Sequence, residues 1–204
     1  FHIMFNQISE FPDISKLTNL RDLQINHNRI ANVAKWISLE FPNSLFSLSA
    51  QNNKMTFIHE NFFINLTKLE RLYLNNNELT SHPDTSSLVK LQILHLYHNF
   101  IAEVNETVAL PVNNSLQTIA IQNNRIESFP SSYLVNLRYL TSLQIYNNRL
   151  TSLPNITTLI SLQTLIAHHN LINKIDEKNI LPKNNNLMNV HIYNNKLSFI
   201  PDEV

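Results

Sequence analysis

An eleven-residue pattern that returns nine times along the chain constrains the fold more than any other feature of the sequence. Written as L-x-x-L-x-L-x-x-N-x-L, with other aliphatic residues in some leucine positions, it is clearest in "LERLYLNNNEL" at 69–79 and "LTSLQIYNNRL" at 140–150. Successive copies follow at intervals of 22, 25 and 24 residues, always in that order. Nine copies in one register exclude chance, and periods of this length are typical of solenoids. The pattern asparagines are Asn6, Asn28, Asn53, Asn77, Asn99, Asn124, Asn148, Asn170 and Asn195.

The positions within each copy predict a strand that is buried on one face. Leucines at the first, fourth and sixth positions place side chains on the inner side of a short strand, while the residues between them point outward. The asparagine then ends the strand, and its amide can hydrogen-bond backbone groups on the adjoining turns. Stacked copies therefore build a ladder of asparagines beside a leucine core. Leaving the backbone partners of one ladder asparagine unpaired is expected to cost ~1–3 kcal/mol.

A longer period of 71 residues lies above the first, because the three intervals repeat as a unit. The segment "PDISKLTNLRDLQINHNRIANV" at 12–33 aligns with "PDTSSLVKLQILHLYHNFIAEV" at 83–104 and "PNITTLISLQTLIAHHNLINKI" at 154–175. The histidines His27, His98 and His169 coincide in this alignment. We infer that a three-repeat unit was duplicated.

These segments, together with "LRDLQINHNRI" at 20–30, resemble the leucine-rich repeat family over essentially the whole chain. The 22-residue members are similar to its short class and the 24-residue members to its typical class. The resemblance implies an α/β solenoid: a horseshoe with a parallel concave β-sheet and an irregular or short-helical convex side. Segments such as "SSYLVNLRYL" at 131–140 are candidates for short helical turns. We expect one repeat domain over 1–204, with about nine repeats and with both caps outside this chain.

The composition removes most classes of catalytic site. The chain has no cysteine, which excludes disulfides, thiolate metal sites and thiol nucleophiles. It has no glycine, which excludes phosphate-binding glycine loops and the G-x-S-x-G nucleophile elbow. Lysine plus arginine number 15, as do aspartate plus glutamate, so the chain has no net charge that would attract nucleic acids or membranes in general. We expect no enzymatic activity and no cofactor.

The outward strand positions hold seven of the nine histidines, far more than random placement would put there. Strands stack about 4.8 Å apart, so each of His27, His98 and His169 is ~14 Å from the next, and they cannot share a metal ion. We interpret the outward histidines as contact residues and expect no metal site. Their ordinary titration range raises the hypothesis that binding changes between about pH 5 and 7.

Aromatic and aliphatic side chains join the histidines on this face and predict a partner-binding surface. Exposed apolar patches usually mark binding sites, and aromatic residues are preferred anchors. Basic residues outnumber acidic ones by six to two at the outward positions, which favours an acidic or mixed-charge partner. The predicted partner-binding residues are Tyr73, Ile93, His95, Tyr97, His98, Phe100, Arg125, Tyr146, Arg149, Ile166, His168, His169, His191 and Tyr193.

These features favour a non-catalytic interaction module that binds a protein or peptide on its concave face. The alternative is the ligand-recognition ectodomain of a secreted or membrane-anchored receptor-like protein. The sequence shows no basic tract, no stacked-aromatic nucleic-acid motif and no apolar run of membrane-spanning length, so we expect neither nucleic acid as a partner nor membrane insertion within this segment.

The compartment stays open, with a cytoplasmic location slightly favoured over secretion or cell-surface display. Asn-x-Ser/Thr triplets begin at Asn65, Asn105, Asn113 and Asn155, and in a secreted eukaryotic protein they would be candidate glycosylation sites. An asparagine-rich chain generates such triplets freely, so they do not identify a compartment. Trp36, in one of the longer connections, is expected to be a packing residue.

Overall fold

The chain forms a solenoid whose inner wall is one parallel β-sheet of eight strands, in the order β1 to β8 along both sequence and sheet. Its computed structural model describes residues 1–31, 33, 44–104, 110, 115–175 and 186–200. The strands are three residues each: β1 Asp22–Gln24, β2 Ser47–Ser49, β3 Arg71–Tyr73, β4 Ile93–His95, β5 Thr118–Ala120, β6 Ser142–Gln144, β7 Thr164–Ile166 and β8 Asn189–His191. The predicted parallel sheet is confirmed, and its strands end four residues before the ladder asparagines rather than at them.

The inward leucines form one continuous core that runs the length of the sheet. Each strand keeps its middle residue in register with the middle residues of its neighbours, as Leu72, Leu94 and Ile119 show across β3, β4 and β5. All three side chains are fully buried. The column ends at Val190 in β8, which is 45% exposed because the described residues place no further coil over it. Burial of such side chains contributes roughly 1.5–3 kcal/mol each.

The asparagines form a hydrogen-bonded ladder, and Asn99 shows the arrangement. Its Nδ2 donates to the carbonyl of Leu96 in its own turn at 2.9 Å and to the carbonyl of Leu74 in the preceding turn at 3.1 Å. Its Oδ1 accepts from the backbone N–H of Leu79 at 3.0 Å. The same three bonds are made by Asn28, Asn53, Asn77, Asn124, Asn148, Asn170 and Asn195. One side chain therefore ties two coils together, and its Oδ1 satisfies a buried backbone N–H that has no other partner within the described residues.

The residue immediately before each ladder asparagine, called here the turn residue, has a left-handed backbone. The nine turn residues, all with φ between 50° and 57°, are Phe5, His27, Asn52, Asn76, His98, Asn123, Asn147, His169 and Asn194. Asparagine and histidine tolerate this conformation better than most non-glycine residues. A chain without glycine thus uses these two residue types at eight of its nine turn positions, and Phe5 occupies the ninth.

The convex side is irregular rather than helical throughout the described ranges. In the predicted short-helical segment, residues 131–136 form successive turns, closed by bonds such as Tyr133 N–H to the Pro130 carbonyl and Leu137 N–H to the Leu134 carbonyl. Both bonds span three residues, so no run of helical four-residue bonds develops. A coil of 22 to 25 residues must also supply a strand and two reversals of direction, which leaves little chain for a helix.

Some expectations fall outside the described part of the chain. Trp36, Asn105 and Asn113 belong to segments that are not described. In the segments that are described, no helix has the length and apolar character needed to cross a bilayer.

Candidate functional site

Four aromatic rings meet on the concave face at β4, and this group is called the β4 cluster: Tyr73, His95, Tyr97 and His98. Tyr73 and His95 are register partners across β3 and β4, with ring centroids 5.0 Å apart. The Tyr97 ring lies 5.5 Å from that of His95 and 5.6 Å from that of His98. Burial lowers the pKa of His95, which favours the neutral form of its ring. The β4 cluster is thus an aromatic surface in which three of the four rings are half-buried.

The rim beside the β4 cluster carries Phe100 and Arg125. The Arg125 guanidinium lies 4.6 Å from the centroid of the Phe100 ring, a cation–π contact between exposed side chains. Ile93 adds a half-buried aliphatic side chain in β4, and Arg149 is exposed one repeat beyond Arg125. The Phe100 ring holds the Arg125 guanidinium in place, and the N–H groups of the guanidinium can still donate to an acidic group of a partner.

A second group of rings, called the β7 cluster, consists of Tyr146, His168, His169, His191 and Tyr193. The His168 ring is stacked between two tyrosines, with centroids 4.5 Å from Tyr146 at 25° and 4.5 Å from Tyr193 at 13°. His191 tilts against Tyr193 at 6.3 Å. Ile166, half-buried in β7, is the register partner of His191. Rings from three successive repeats thus form one stacked surface.

Hydrogen bonds fix where the protons lie in the β7 cluster. Nδ1 of His168 and Nδ1 of His169 are 2.7 Å apart, so one donates and the other accepts. Nε2 of His169 is 2.9 Å from Nδ2 of Asn194, which can only donate. His169 therefore carries its proton on Nδ1 and donates it to His168. Burial, followed by coulombic repulsion when His169 or His191 is protonated, lowers the pKa of His168.

Between the two clusters, β5 forms a polar floor. Ala120 is in register with His95 on one side and Gln144 on the other, and its side chain is shorter than either. Two residues on, Gln122 occupies the pattern position that holds tyrosine in both neighbouring repeats. Gln122 is 6% exposed, and its Oε1 has no hydrogen-bond partner within the described residues. The floor therefore contains a buried acceptor in need of a donor.

The structure separates the predicted strip into these two clusters and their rims. Phe100 and Arg125 contact each other. Ile93 lies in β4 and Ile166 in β7. The basic character of the concave face is partly offset, since Lys54 pairs with Glu78 at 3.5 Å. No group of three or more histidine, aspartate or glutamate side chains suited to a metal ion occurs in the described ranges.

Sequence reasoning missed the backbone role of the histidines at turn positions. His27, His98 and His169 have positive φ, and the ring of each lies within 3.5 Å of the asparagine at the next turn position. The signal was present, because histidine or asparagine precedes eight of the nine ladder asparagines. The presence of these three histidines on the concave face therefore has a structural cause, because each occupies a turn position with a left-handed backbone.

It also missed a buried polar pair away from the sheet. His82, 3% exposed, donates from Nδ1 to the Pro83 carbonyl at 2.7 Å, and its Nε2 accepts from the Tyr133 hydroxyl at 2.8 Å. Burial lowers the pKa of His82 to about 4 and raises that of Tyr133. The two residues are 51 positions apart, and no linear pattern signals their contact.

The chain is similar to several curated proteins. It is 28% identical to lumican of Gallus gallus over 196 residues, which cover 92% of this chain and 52% of lumican. It is 33% identical to adenylate cyclase of Schizosaccharomyces pombe over 142 residues, covering 68% of this chain and 8% of that enzyme. The chain thus spans about half the length of the lumicans it matches.

Solved structures show the same architecture. The functional domain of InlJ from Listeria monocytogenes superposes with a TM-score of 0.75 at 25% identity, over 97% of this chain and 40% of that one. FLRT2, in a complex with Latrophilin 3 and Unc5D, gives 0.78 at 21% identity over 98% and 61%. TLR13, in a complex with ssRNA13, gives 0.74 at 23% identity over 92% and 27%.

The family model described as Leucine Rich Repeat matches residues 68–88, which include β3. This match, the relatives and the superposed structures agree with the nine pattern copies and the hydrogen-bonded asparagines. The chain is a leucine-rich repeat protein.

Proposed function

We propose that the concave face binds a protein or peptide partner and performs no chemistry. The observation that carries this proposal is the pair of aromatic clusters on one open face, each of which combines half-buried and exposed rings. Tyrosine is enriched among residues that dominate binding energy, and rings already stacked on neighbours lose little freedom on binding. The relatives and structural neighbours support an interaction role, since FLRT2 was solved with two protein partners.

Charge on the rim favours an acidic or mixed-charge partner. Arg125 and Arg149 are exposed beside the clusters, and Arg71 extends over the Phe46 ring at 5.1 Å. Such charges steer association more than they set affinity. A protein partner rather than a nucleic acid stays our prediction, because aromatic side chains outnumber cations at the centre of the face. The TLR13 complex is a reason to include single-stranded RNA as a competitor in the binding assay.

The adenylate cyclase match does not favour catalysis in this chain. It covers 8% of that enzyme, and the aligned part of this chain is made of the repeats already described. Catalysis would require a nucleophile or acid–base pair set in a cleft. The concave clusters instead offer aromatic rings and a buried amide.

The test is recovery of partners from an extract of the source cells by the intact array and by the Tyr97→Ala/Tyr146→Ala double variant. Truncating two central tyrosines is expected to weaken binding at least tenfold. Tyr139→Ala is the matched control, since Tyr139 is 64% exposed but lies outside the sheet. Equal recovery by all three folded proteins would contradict the proposal.

A receptor-like ectodomain is the second candidate, supported by the exposure of Asn65 and Asn155. In the triplet that begins at Asn155, the Asn155 Oδ1 accepts from the backbone N–H and the hydroxyl of Thr157 at 3.0 and 2.6 Å. Protein isolated from its source cells would lose mass on treatment with an N-glycosidase if this candidate is correct. An unchanged mass at both asparagines would favour the interaction module alone.

A further inference from the structure

A pocket of about 330 Å³ opens where the first three strands of the sheet begin. Its walls are Arg21, Asp22, Phe46, Ser47 and Arg71. Asp22, Ser47 and Arg71 are register partners at the first positions of β1, β2 and β3. Arg21 and Phe46 directly precede β1 and β2. The pocket therefore lies toward the opposite end of the sheet from the β7 cluster, and none of its wall residues belongs to either aromatic cluster.

Backbone hydrogen bonds fix the two arginines on either side of Phe46. The Phe46 N–H donates to the Arg21 carbonyl at 2.7 Å, and the Arg71 N–H donates to the Phe46 carbonyl at 3.2 Å. Neighbouring strands lie about 4.8 Å apart, so the backbones of Arg21 and Arg71 are ~10 Å apart. The Arg71 guanidinium lies 5.1 Å from the centroid of the Phe46 ring, which supports it at the pocket wall. Two long basic side chains thus enter one pocket from both sides of β2.

The charges of these arginines are not neutralised by the protein. Both residues are exposed, and neither forms an ion pair with a carboxylate in the described part of the chain. Asp22, the acidic residue of the wall, is engaged elsewhere: its Oδ2 accepts from Gln24 Nε2 at 3.0 Å and lies 3.4 Å from His2 Nε2. Two guanidinium charges against one carboxylate leave the pocket positive. Guanidinium donors without a protein partner suit an anionic ligand.

We propose that this pocket binds a tetrahedral oxyanion carried on an aromatic stem, that is, a phosphate or sulfate monoester. Each guanidinium can donate two parallel N–H bonds, and a monoester presents three oxygens to the two forks where a carboxylate presents two. The half-buried Phe46 ring is an apolar wall against which an aromatic stem packs. The volume of about 330 Å³ is at the small end of ligand pockets and suits one side-chain-sized group. The site is separate from the partner-binding clusters and does not depend on them.

Calorimetry with the intact array and four small probes tests the class of ligand. Phenyl phosphate and phenyl sulfate carry the proposed group, inorganic phosphate lacks the stem, and benzoate has a carboxylate on the same ring. We expect at least one aryl ester to bind about fivefold more tightly than inorganic phosphate and benzoate, and the comparison of the two esters identifies the oxyanion. No binding by either ester, or equal binding by benzoate or inorganic phosphate, would overturn the proposal.

Matched arginine variants locate the bound ester. Arg21→Gln and Arg71→Gln should each lower the affinity for the tighter ester about tenfold, because each removes charge-assisted hydrogen bonds. Arg138→Gln removes the same charge from an exposed arginine outside the sheet, in the coil that leads into β6. It should change the affinity less than about twofold, since β6 is three strands from β3 and salt screens charges at that distance. Thermal unfolding checks that each variant is folded. Equal losses in all three variants would show a response to net charge alone and contradict the site.

Asp22 provides a test in the opposite direction. Asp22→Asn keeps an oxygen that can accept from Gln24 Nε2 but removes the negative charge from the pocket wall. The affinity for the ester should therefore rise about twofold to fivefold, because a like charge beside the ligand is lost. An unchanged or lower affinity would place the ester outside this pocket.

This proposal and the proposed function fail in different ways, since the probes need no protein partner. If neither ester binds but partners are lost with the double tyrosine variant, only the oxyanion site is wrong. If an ester binds as described but partners are retained by the double variant, the proposed function is wrong and the oxyanion site stands.

Discussion

Each interior ladder asparagine satisfies backbone groups in two coils, so its removal should have a predictable cost. In Asn99→Ala, the Leu79 N–H loses its partner, while the Leu74 carbonyl keeps the bond from Asn77 Nδ2. We expect the free energy of unfolding to fall by about 2 kcal/mol, since an orphaned buried group costs roughly 1–3 kcal/mol. Asn6 is the matched control because, among the described residues, its side chain bonds only within its own turn, to Ile3 and Met4. Urea unfolding should show a loss below about 1 kcal/mol for Asn6→Ala, and equal losses would refute the role of the ladder.

The turn residues allow the backbone role of a histidine to be separated from its contact role. His98 has a φ of 54°, which asparagine tolerates and a β-branched residue does not. We expect His98→Val to lose about 1–2 kcal/mol of stability and His98→Asn to lose less than about 0.5 kcal/mol. Thermal unfolding of the two variants checks this. Because both lack the imidazole, any shared loss of binding measures the ring itself, and equal stability of the two would contradict the backbone role.

The buried His82 makes stability depend on pH in a defined window. Its pKa is about 4 in the folded protein and near 6.5 when exposed, so the unfolded chain takes up the proton first as pH falls. Stability from this group is complete above pH 6.5 and falls by about 3 kcal/mol between pH 6.5 and 4. Urea midpoints across that window should fall less steeply in His82→Gln, whose amide can bond Pro83 and Tyr133 without titrating. Identical slopes would show that His82 is not the source.

At the scale of the strands, the inward leucines should be unequal along the sheet. Leu94 lies in the middle of β4, with neighbours above and below, and is 0% exposed, whereas Val190 in β8 is 45% exposed. Leu94→Ala is expected to cost about 2–5 kcal/mol, through lost burial and the cavity left behind. Val190→Ala should cost less than about 1 kcal/mol in the same urea experiment. Similar costs would mean that β8 is covered in solution.

The elements were predictable to the extent that side chains alone determine them. The period of the leucines predicted the parallel sheet and the order of its strands, because one register buries the whole hydrophobic set. The convex turns were less predictable, since 131–140 has helical spacing but closes its bonds over three residues. The three-residue length of the strands, such as Ile93–His95, also does not follow from the pattern.

At the scale of the whole molecule, the sequence predicted which residues share the concave face but not how they group. Tyr146 and Tyr193 are 47 positions apart and meet only because His168 stacks between them. Ala120 and Gln122 carried no recognisable binding signal, although their small and polar side chains divide the face in two. Such grouping depends on side-chain conformations, which a repeat pattern does not encode.

The central claim is that a partner binds the concave face at the β4 cluster and the β7 cluster. Photo-crosslinking tests it most directly, with the photoreactive residue benzoylphenylalanine placed at position 97, 146 or 139 in separate proteins. We predict that the bound partner crosslinks strongly from positions 97 and 146 and at background level from position 139, which is exposed outside the sheet. Crosslinks concentrated at position 139, with background levels at the other two, would contradict the account.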